Sequence, residues 1–277
     1  MIITTIAGFL EAIPTAQGTD FDVLKPYVSD AETEMMSVLV LGKTLFDHIA
    51  ALDHTDQLWL LLRNTVANMA YRNAIPFVDL IQTNNGFAVV NSSNQAPASK
   101  ERVERLIAQC DAMIDRNMDL LIIQIMATPA ALGKWEPDAL KQFTSCLFVT
   151  GIDYAGSTMV KSSRTDFLKA KPVMLNAQDT VLAPAISRAF LDELILKNRT
   201  RQWAPLDLPV VSACQQILSM IVAGKIDQAK KRLNQLLADM ESMIDSYPTY
   251  KTSAEYSLKN SGKYVNKLED PTFFFAI

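Results

Sequence analysis

The chain has 277 residues, of which 49% are hydrophobic and only 9 are glycine, which argues against disorder and against a turn-rich all-β protein. Its formal net charge of −4 argues against a general nucleic-acid-binding surface, because neutralising phosphates requires a basic face. Cys110, Cys146 and Cys214 are odd in number and widely spaced, which predicts buried, reduced thiols and folding in a cytoplasm.

The first segments of the chain do not predict a membrane protein. The amino terminus lacks a basic region and carries Glu11 early, so we do not expect a signal peptide. The longest apolar run, Leu120–Gly133, is too short to span a bilayer and contains Gln124 and Pro129. We therefore expect a soluble protein with no membrane partner.

A short phrase near the amino terminus occurs twice. TDFDVLKP (Thr19–Pro26) and TDFLKAKP (Thr165–Pro172) share Thr, Asp, Phe, Lys and Pro at an offset of 167 − 21 = 146. A second match, Arg102–Asp115 with Arg232–Asp245, has an offset of 232 − 102 = 130. The difference of 16 equals the length of the segment from Thr83 to Ala98, so one insertion reconciles both offsets.

These two matches predict a tandem duplication rather than a solenoid, which needs about three repeats. Chance similarity between apolar helical patterns is the alternative. We expect a first helical lobe at residues 1–150 and a second at 151–277, related by a pseudo-two-fold axis.

The helices of the first lobe follow from caps and apolar spacing. Ser29 and Glu32 form a predicted capping box, and the helix that they begin continues to Leu52. Its predicted core positions are Met35, Val38, Leu39, Leu45, Phe46 and Ile49. A second helix is predicted at Asp56–Asn73 and a third across Arg102–Asp115, followed by an apolar run at Met118–Met126 and a short helix after Pro137.

The predicted insertion interrupts this helical pattern. Asn85-Gly86 lies between two apolar runs, Phe77–Gln82 and Phe87–Val90, and is the strongest short signal for a β-hairpin. We place the hairpin insertion at about 77–98. It either folds against its own lobe or forms an arm that reaches a neighbouring subunit.

The second lobe repeats the helical pattern. A helix is predicted from near Asn176, with Pro184 starting or kinking its main part, and further helices span Leu206–Lys225 and Arg232–Asp245. We therefore predict an all-α fold. An extended tail is expected from about residue 247, and its last part carries Phe273, Phe274 and Phe275. That apolar patch either folds onto its own lobe or inserts into a groove of another subunit.

The sequence offers no catalytic signature. His48 and His54 are six residues apart, so they do not share a helix face as metal ligands would. A nucleophile elbow and a phosphate loop are both missing from the sequence. We expect no enzyme activity, no cofactor and no metal. The candidate interaction residues are Asn85, Gly86, Phe87, Val89, Phe273, Phe274 and Phe275.

Two stretches resemble a known group of proteins: FLEAIPTAQGTDFDVLKPYVSDAETEMMSVLVLGKTLF and NNGFAVVNSSNQAPASKERVERL. They are similar to an uncharacterised family encoded among the structural genes of Bacteroidetes phages and prophages. By its genomic company, that family resembles the all-helical head–tail connectors that form rings beneath a phage portal. The resemblance implies no catalytic residues.

The expected function is therefore that of a virion structural protein, a head–tail connector or adaptor assembled in the bacterial cytoplasm. Its expected partners are further copies of itself in a ring and the portal and tail proteins, with nucleic acid passing only through the ring lumen. The alternative is a bacterial helical binding module that recognises a peptide or small molecule between its two lobes.

Overall fold

The computed structural model describes residues 1–17, 19–37, 40–78, 81–83, 86–88, 99–135, 137, 145–158 and 163–261, with backbone alone for 81–83, 86–88 and 158. Its regular structure is helical apart from one short two-stranded ribbon. The prediction of an all-α fold is confirmed at this level. No helix in these ranges is long and apolar enough to cross a membrane.

The elements of the first half run from α1 to α6. They are α1 (Ile6–Ala12), a 3-10 turn (Pro14–Ala16), α2 (Phe21–Met36), α3 (Lys43–Ala50), α4 (Gln57–Val78), strands β1 (Ile81–Thr83) and β2 (Gly86–Ala88), α5 (Lys100–Ala127) and α6 (Pro129–Leu132). Helix α4 packs between α2 and α5, which forms the body of this half.

The elements of the second half run from α7 to α14. Its elements are α7 (Gly151–Thr158), α8 (Arg164–Ala177), a π-helix (Gln178–Leu182), α9 (Ala183–Ile186), α10 (Arg188–Thr200), α11 (Asp207–Val222), α12 (Ile226–Ser242), a 3-10 turn (Ile244–Ser246), α13 (Pro248–Lys251) and α14 (Ala254–Asn260). Helix α11 packs between α8 and α12.

The predicted capping box at Ser29 is wrong. Helix α2 begins earlier, at Phe21, and its cap is Asp20, whose carboxylate accepts the Asp22 N–H at 3.0 Å. Ser29 lies inside the helix, where its carbonyl accepts the Thr33 hydroxyl at 2.9 Å. Proline normally ends a helix because it frees a carbonyl one turn earlier, but Pro26 lies on the exposed face, where that carbonyl can bind water.

The helix predicted to reach Leu52 is two helices. It breaks before α3 at Gly42, which adopts φ 77° and ψ 154°, a conformation that is essentially restricted to glycine. The predicted core residues on both sides of the break, Met35, Leu45, Phe46 and Ile49, are buried. Val38 and Leu39 lie outside the described residues.

The third helix is longer than predicted. Helix α5 runs without interruption for 28 residues, so the apolar run Met118–Met126 is its carboxyl-terminal part. The short helix expected after Pro137 falls outside the described residues. In the second half, the π-helix ends at Leu182 and Pro184 stands in the first turn of α9, where a proline is tolerated, in line with the prediction that Pro184 starts or kinks a helix.

The buried apolar side chains form two clusters. The first core extends from Ile2 to Trp135 and includes Val149, whereas the second core extends from Cys146 to Tyr250. Phe148 and Val149 are neighbours in the chain but belong to different cores, as expected for an extended segment whose side chains alternate. The crossing between the cores thus begins a few residues before the predicted boundary at 150.

Candidate functional site

The described residues bring together no catalytic constellation. They contain no group of three or more His, Cys, Asp or Glu side chains that could hold a metal ion. His48 is half-buried on α3, and His54 stacks on Trp59 with ring centroids 4.2 Å apart. Buried Cys146 and Cys214 are free thiols whose pKa values burial raises to about 11 and about 12, so both are protonated and unreactive at neutral pH.

The predicted hairpin residues lie in or beside the ribbon. Gly86 and Phe87 are in β2, which pairs antiparallel with β1 so that Thr83 faces Gly86 and Gln82 faces Phe87. Asn85 and Val89 lie outside the described residues, so the predicted turn geometry stays a prediction. We call residues 75–106 the arm; they include the last turn of α4, the ribbon and the first two turns of α5.

The base of the arm carries exposed apolar side chains. Phe77 is 66% exposed and Val78 is 45% exposed, although both belong to a regular helix. An isolated two-stranded ribbon is marginal in water and gains stability by packing on another surface. Apolar exposure at the base of such a ribbon is typical of an interaction surface.

A groove lies beside the base of the arm, between α2, α4 and α5. It encloses about 510 Å³ and is lined by Tyr27, Asp30, Arg72, Asn73, Pro76, Phe77 and Ile107. The Tyr27 and Phe77 rings lie 5.9 Å apart at one side of it. Arg72 is at its rim, where its Nε donates to Asp111 at 3.1 Å, and both side chains of this pair are about half exposed. Sequence reasoning missed this groove, because its lining comes from three separate helices.

The predicted tail begins later than residue 247. Tyr247 and Tyr250 are buried in the second core, where both rings contact Phe190. Helices α13 and α14 extend the regular structure to Asn260. Burying the aromatic side chains in the core stabilises this arrangement, because their large apolar surface leaves water. Phe273, Phe274 and Phe275 lie outside the described residues.

The two cores meet at a buried ion pair. Arg164 NH1 at the start of α8 lies 2.7 Å from Asp119 Oδ1 on α5, and the side chains of both residues are at most 5% exposed. The other Asp119 oxygen accepts the Ile152 N–H at 3.0 Å. Burial raises the pKa of Asp119, whereas Arg164 and the backbone donors oppose that shift. A Cβ on Gly151 would come within 2.7 Å of the Arg164 Cα, so this close approach requires glycine.

A cleft of about 370 Å³ lies at this junction. Its lining combines charged side chains with Ala112 and Ile152. Asp115 accepts the Thr165 N–H at 3.0 Å and Asp166 forms a capping box with Ser163, so these carboxylates already bond groups of the same chain.

One comparison with known proteins gave a match. A model described as "Family of unknown function (DUF6712)" matches residues 22–136, which is less than half of the chain. The matched range covers most of the first core and the whole arm. Neither the curated proteins nor the solved structures gave a match.

Proposed function

We propose that this protein is a non-catalytic virion structural protein, a head–tail connector or adaptor that assembles into a ring with portal and tail proteins as partners. We infer further that the chain consists of two duplicated helical lobes and that the arm is an insertion in the first. The observation that carries the proposal is the arm between α4 and α5, whose base exposes Phe77 and Val78, against a turn of three residues between α11 and α12.

The amino-terminal parts of the halves support the duplication. Thr5 and Thr150 are related by an offset of 150 − 5 = 145, and each stands just before a helix. The hydroxyl oxygen of each accepts the backbone N–H of the residue three positions later, at 3.2 Å for Thr5 and 3.1 Å for Thr150. The sequence matches had not included this region.

The next helices add a second correspondence. At the sequence offset of 146, Pro26 in α2 and Pro172 in α8 are both inside helices, and Glu32 and Gln178 are both buried. Glu32 Oε1 accepts the N–H of Ile2, and Gln178 Oε1 accepts the N–H of Leu147 at 2.8 Å. In each half, the side chain at this position thus accepts an N–H from the segment that enters the core.

The caps of α3 and α10 add a third correspondence. Gly42 has φ 77° and ψ 154°, and Ser187, at an offset of 145, has φ 73° and ψ 148°. Side chains at positive φ are rare, so a shared value at matching positions is unlikely to arise from helical patterning alone.

Burial supports a different offset for the third pair of helices. Cys110, Asn117, Met118 and Leu121 are buried in α5, and at an offset of 119 they correspond to Ala229, Leu236, Leu237 and Met240, all buried in α12. The sequence match at 130 differs by 130 − 119 = 11 residues. Eleven residues are close to three helical turns, so the apolar faces coincide in both registers.

The same reasoning enlarges the insertion. The buried residues Leu62, Val66 and Ala70 of α4 correspond at an offset of 148 to Val210, Cys214 and Leu218 of α11. The change from 148 to 119 implies 148 − 119 = 29 additional residues in the first half. The arm, residues 75–106, contains 32 residues, against three in the equivalent turn 223–225.

The alternative function, a helical module that binds a peptide or small molecule between its lobes, has less support. In the junction cleft, the carboxylates of Asp115 and Asp119 already bond groups of the same chain, which leaves fewer polar groups to orient a ligand. The exposed apolar base of the arm instead favours a protein partner.

The experiment that tests the proposal replaces the arm with the turn of the other half. Residues 75–106 are exchanged for Ala-Gly-Lys, the sequence of residues 223–225, and native mass is measured by light scattering. We expect the full chain to form a large closed oligomer and the graft to be a folded monomer. A full chain that stays monomeric, both alone and when mixed with portal protein, would overturn the proposal.

A further inference from the structure

We propose that the groove at the base of the arm binds the phenylalanine segment Phe273–Phe275 of a second copy of this chain. This inference rests on the proposed function, since it supplies the contact by which one subunit holds the next. It assigns a binding site to three consecutive phenylalanines, whose apolar side chains favour burial.

The groove has unsatisfied apolar surface where an aromatic segment would lie. Phe77 is 66% exposed, and Tyr27 presents its ring beside it, which provides the edge and face contacts that aromatic side chains favour. The groove volume of about 510 Å³ is within the range of sites that enclose a small ligand or a few side chains.

A second pocket, lined by Phe190, Leu206 and Tyr247, is a weaker candidate. Phe190 and Tyr247 are only 2% and 3% exposed, because they already pack within the second core. An incoming ring would therefore mainly cover Leu206, which is 38% exposed, whereas Phe77 in the groove is 66% exposed.

The charges of the segment fit the rim of the groove. Sixteen residues, 262–277, follow the last described residue, and in them Glu269 and Asp270 stand four and three residues before Phe273. Arg72 lies at the rim, where it bonds Asn73 and Asp111, and the Asp111 side chain is 51% exposed. Exposed ion pairs of this kind are weak, so Arg72 can exchange Asp111 for a carboxylate of the segment.

The geometry of the chain favours a second copy as the source. The segment follows α14, which packs on α9 and α13, whereas the groove is formed by helices of the first core. A contact that joins two different patches on identical subunits is heterologous, and such contacts close into rings.

The test places a photo-crosslinking phenylalanine analogue at position 274 of the full-length protein. This variant is mixed with 15N-labelled wild-type chain, the mixture is irradiated, and crosslinked peptides are identified by mass spectrometry. We expect crosslinks to peptides containing Tyr27 or Phe77 and joining labelled to unlabelled chains. Phe77→Ser should lower their yield by about tenfold, as for the loss of a central aromatic contact. The matched control Leu258→Ser, at a side chain that is 75% exposed and outside the groove, should leave it unchanged.

Two outcomes overturn the inference and are told apart by the native mass. Crosslinks within one chain, or to the pocket at Tyr247, in a protein that still forms an oligomer would overturn this inference alone. A chain that forms no oligomer, alone or with portal protein, would overturn both this inference and the proposed function.

Discussion

Two helical hairpins of this protein close in very different ways. Helix α11 turns into α12 through residues 223–225, and Gly224 at φ 71° makes that turn tight. Helix α4 is joined to α5 through residues 79–99, which include the ribbon. Three residues are therefore enough to join such helices, and the longer connection is not needed to form the hairpin. Features that only one hairpin carries are the first place to look for function.

Four sets of substitutions test the junction of the two cores and the proposed correspondence between the two halves. The largest effect is expected at the junction of the cores. Arg164→Met should destabilise the protein by about 3–5 kcal/mol, because it leaves the buried carboxylate of Asp119 without its partner. The measurement is the free energy of unfolding in urea.

The matched control is Arg188→Met, which removes the exposed partner of Asp179 and should cost about 0–1 kcal/mol. Equal effects of the two changes would show that the junction contributes no more than a surface pair. The halves would then have to be treated as independent bodies.

The next effect concerns the two buried acceptors, Glu32 and Gln178. Glu32→Ala and Gln178→Ala should each cost about 1–3 kcal/mol, because each leaves a buried N–H without its acceptor. The two effects should be similar, since Gln178 Nε2 also donates to the Ser145 carbonyl and the second oxygen of Glu32 lies 3.7 Å from the amino-terminal nitrogen. Thermal or urea unfolding measures both, with exposed Gln235→Ala as a control within about 0.5 kcal/mol. If Glu32→Ala left the free energy of unfolding unchanged, Glu32 and Gln178 would not be equivalent.

The two caps at positive φ should respond with opposite signs. Gly42→Ser should destabilise the protein by about 1–3 kcal/mol, because it adds a side chain where glycine is preferred. Ser187→Gly should stabilise it, because it relieves the same backbone strain while losing only a few tenths of a kcal/mol of capping. Unfolding midpoints of the two variants decide this. A destabilised Ser187→Gly would mean that its hydrogen bond to Phe190 outweighs the strain.

The smallest effect at neutral pH is expected at Tyr250. Its hydroxyl is buried and bonds to nothing in the described part of the chain, so Tyr250→Phe should change stability by less than about 0.5 kcal/mol at pH 7.

Alkaline pH should separate Tyr250→Phe from the wild type. Burial raises the pKa of Tyr250 from 10.0 to about 12. Its contribution to stability is therefore complete below pH 10 and is lost as pH rises from 10 to 12, because the unfolded chain releases the proton first. Unfolding curves of Tyr250→Phe should fall less steeply in this range. Parallel curves would show that the hydroxyl is hydrated in the folded protein.

Much of the architecture could be read from the sequence, and the errors have physical causes. Apolar spacing correctly predicted the helices at α4 and α11 and the burial of Cys110, Cys146 and Cys214. It misplaced the start of α2, because a proline on an exposed face does not end a helix. The groove at the arm could not be predicted, because its residues are far apart in the chain.

The sequence by itself determined the helical class, the identity of the buried thiols and the presence of a non-helical segment between α4 and α5. These features depend on local periodicity and composition, which every residue carries with it. Tertiary structure alone decided which helices pair, where Asp119 finds Arg164, and which apolar side chains stay exposed at the arm. Those features depend on contacts between residues distant in the chain, and helical periodicity is the same whichever partner a face finally meets.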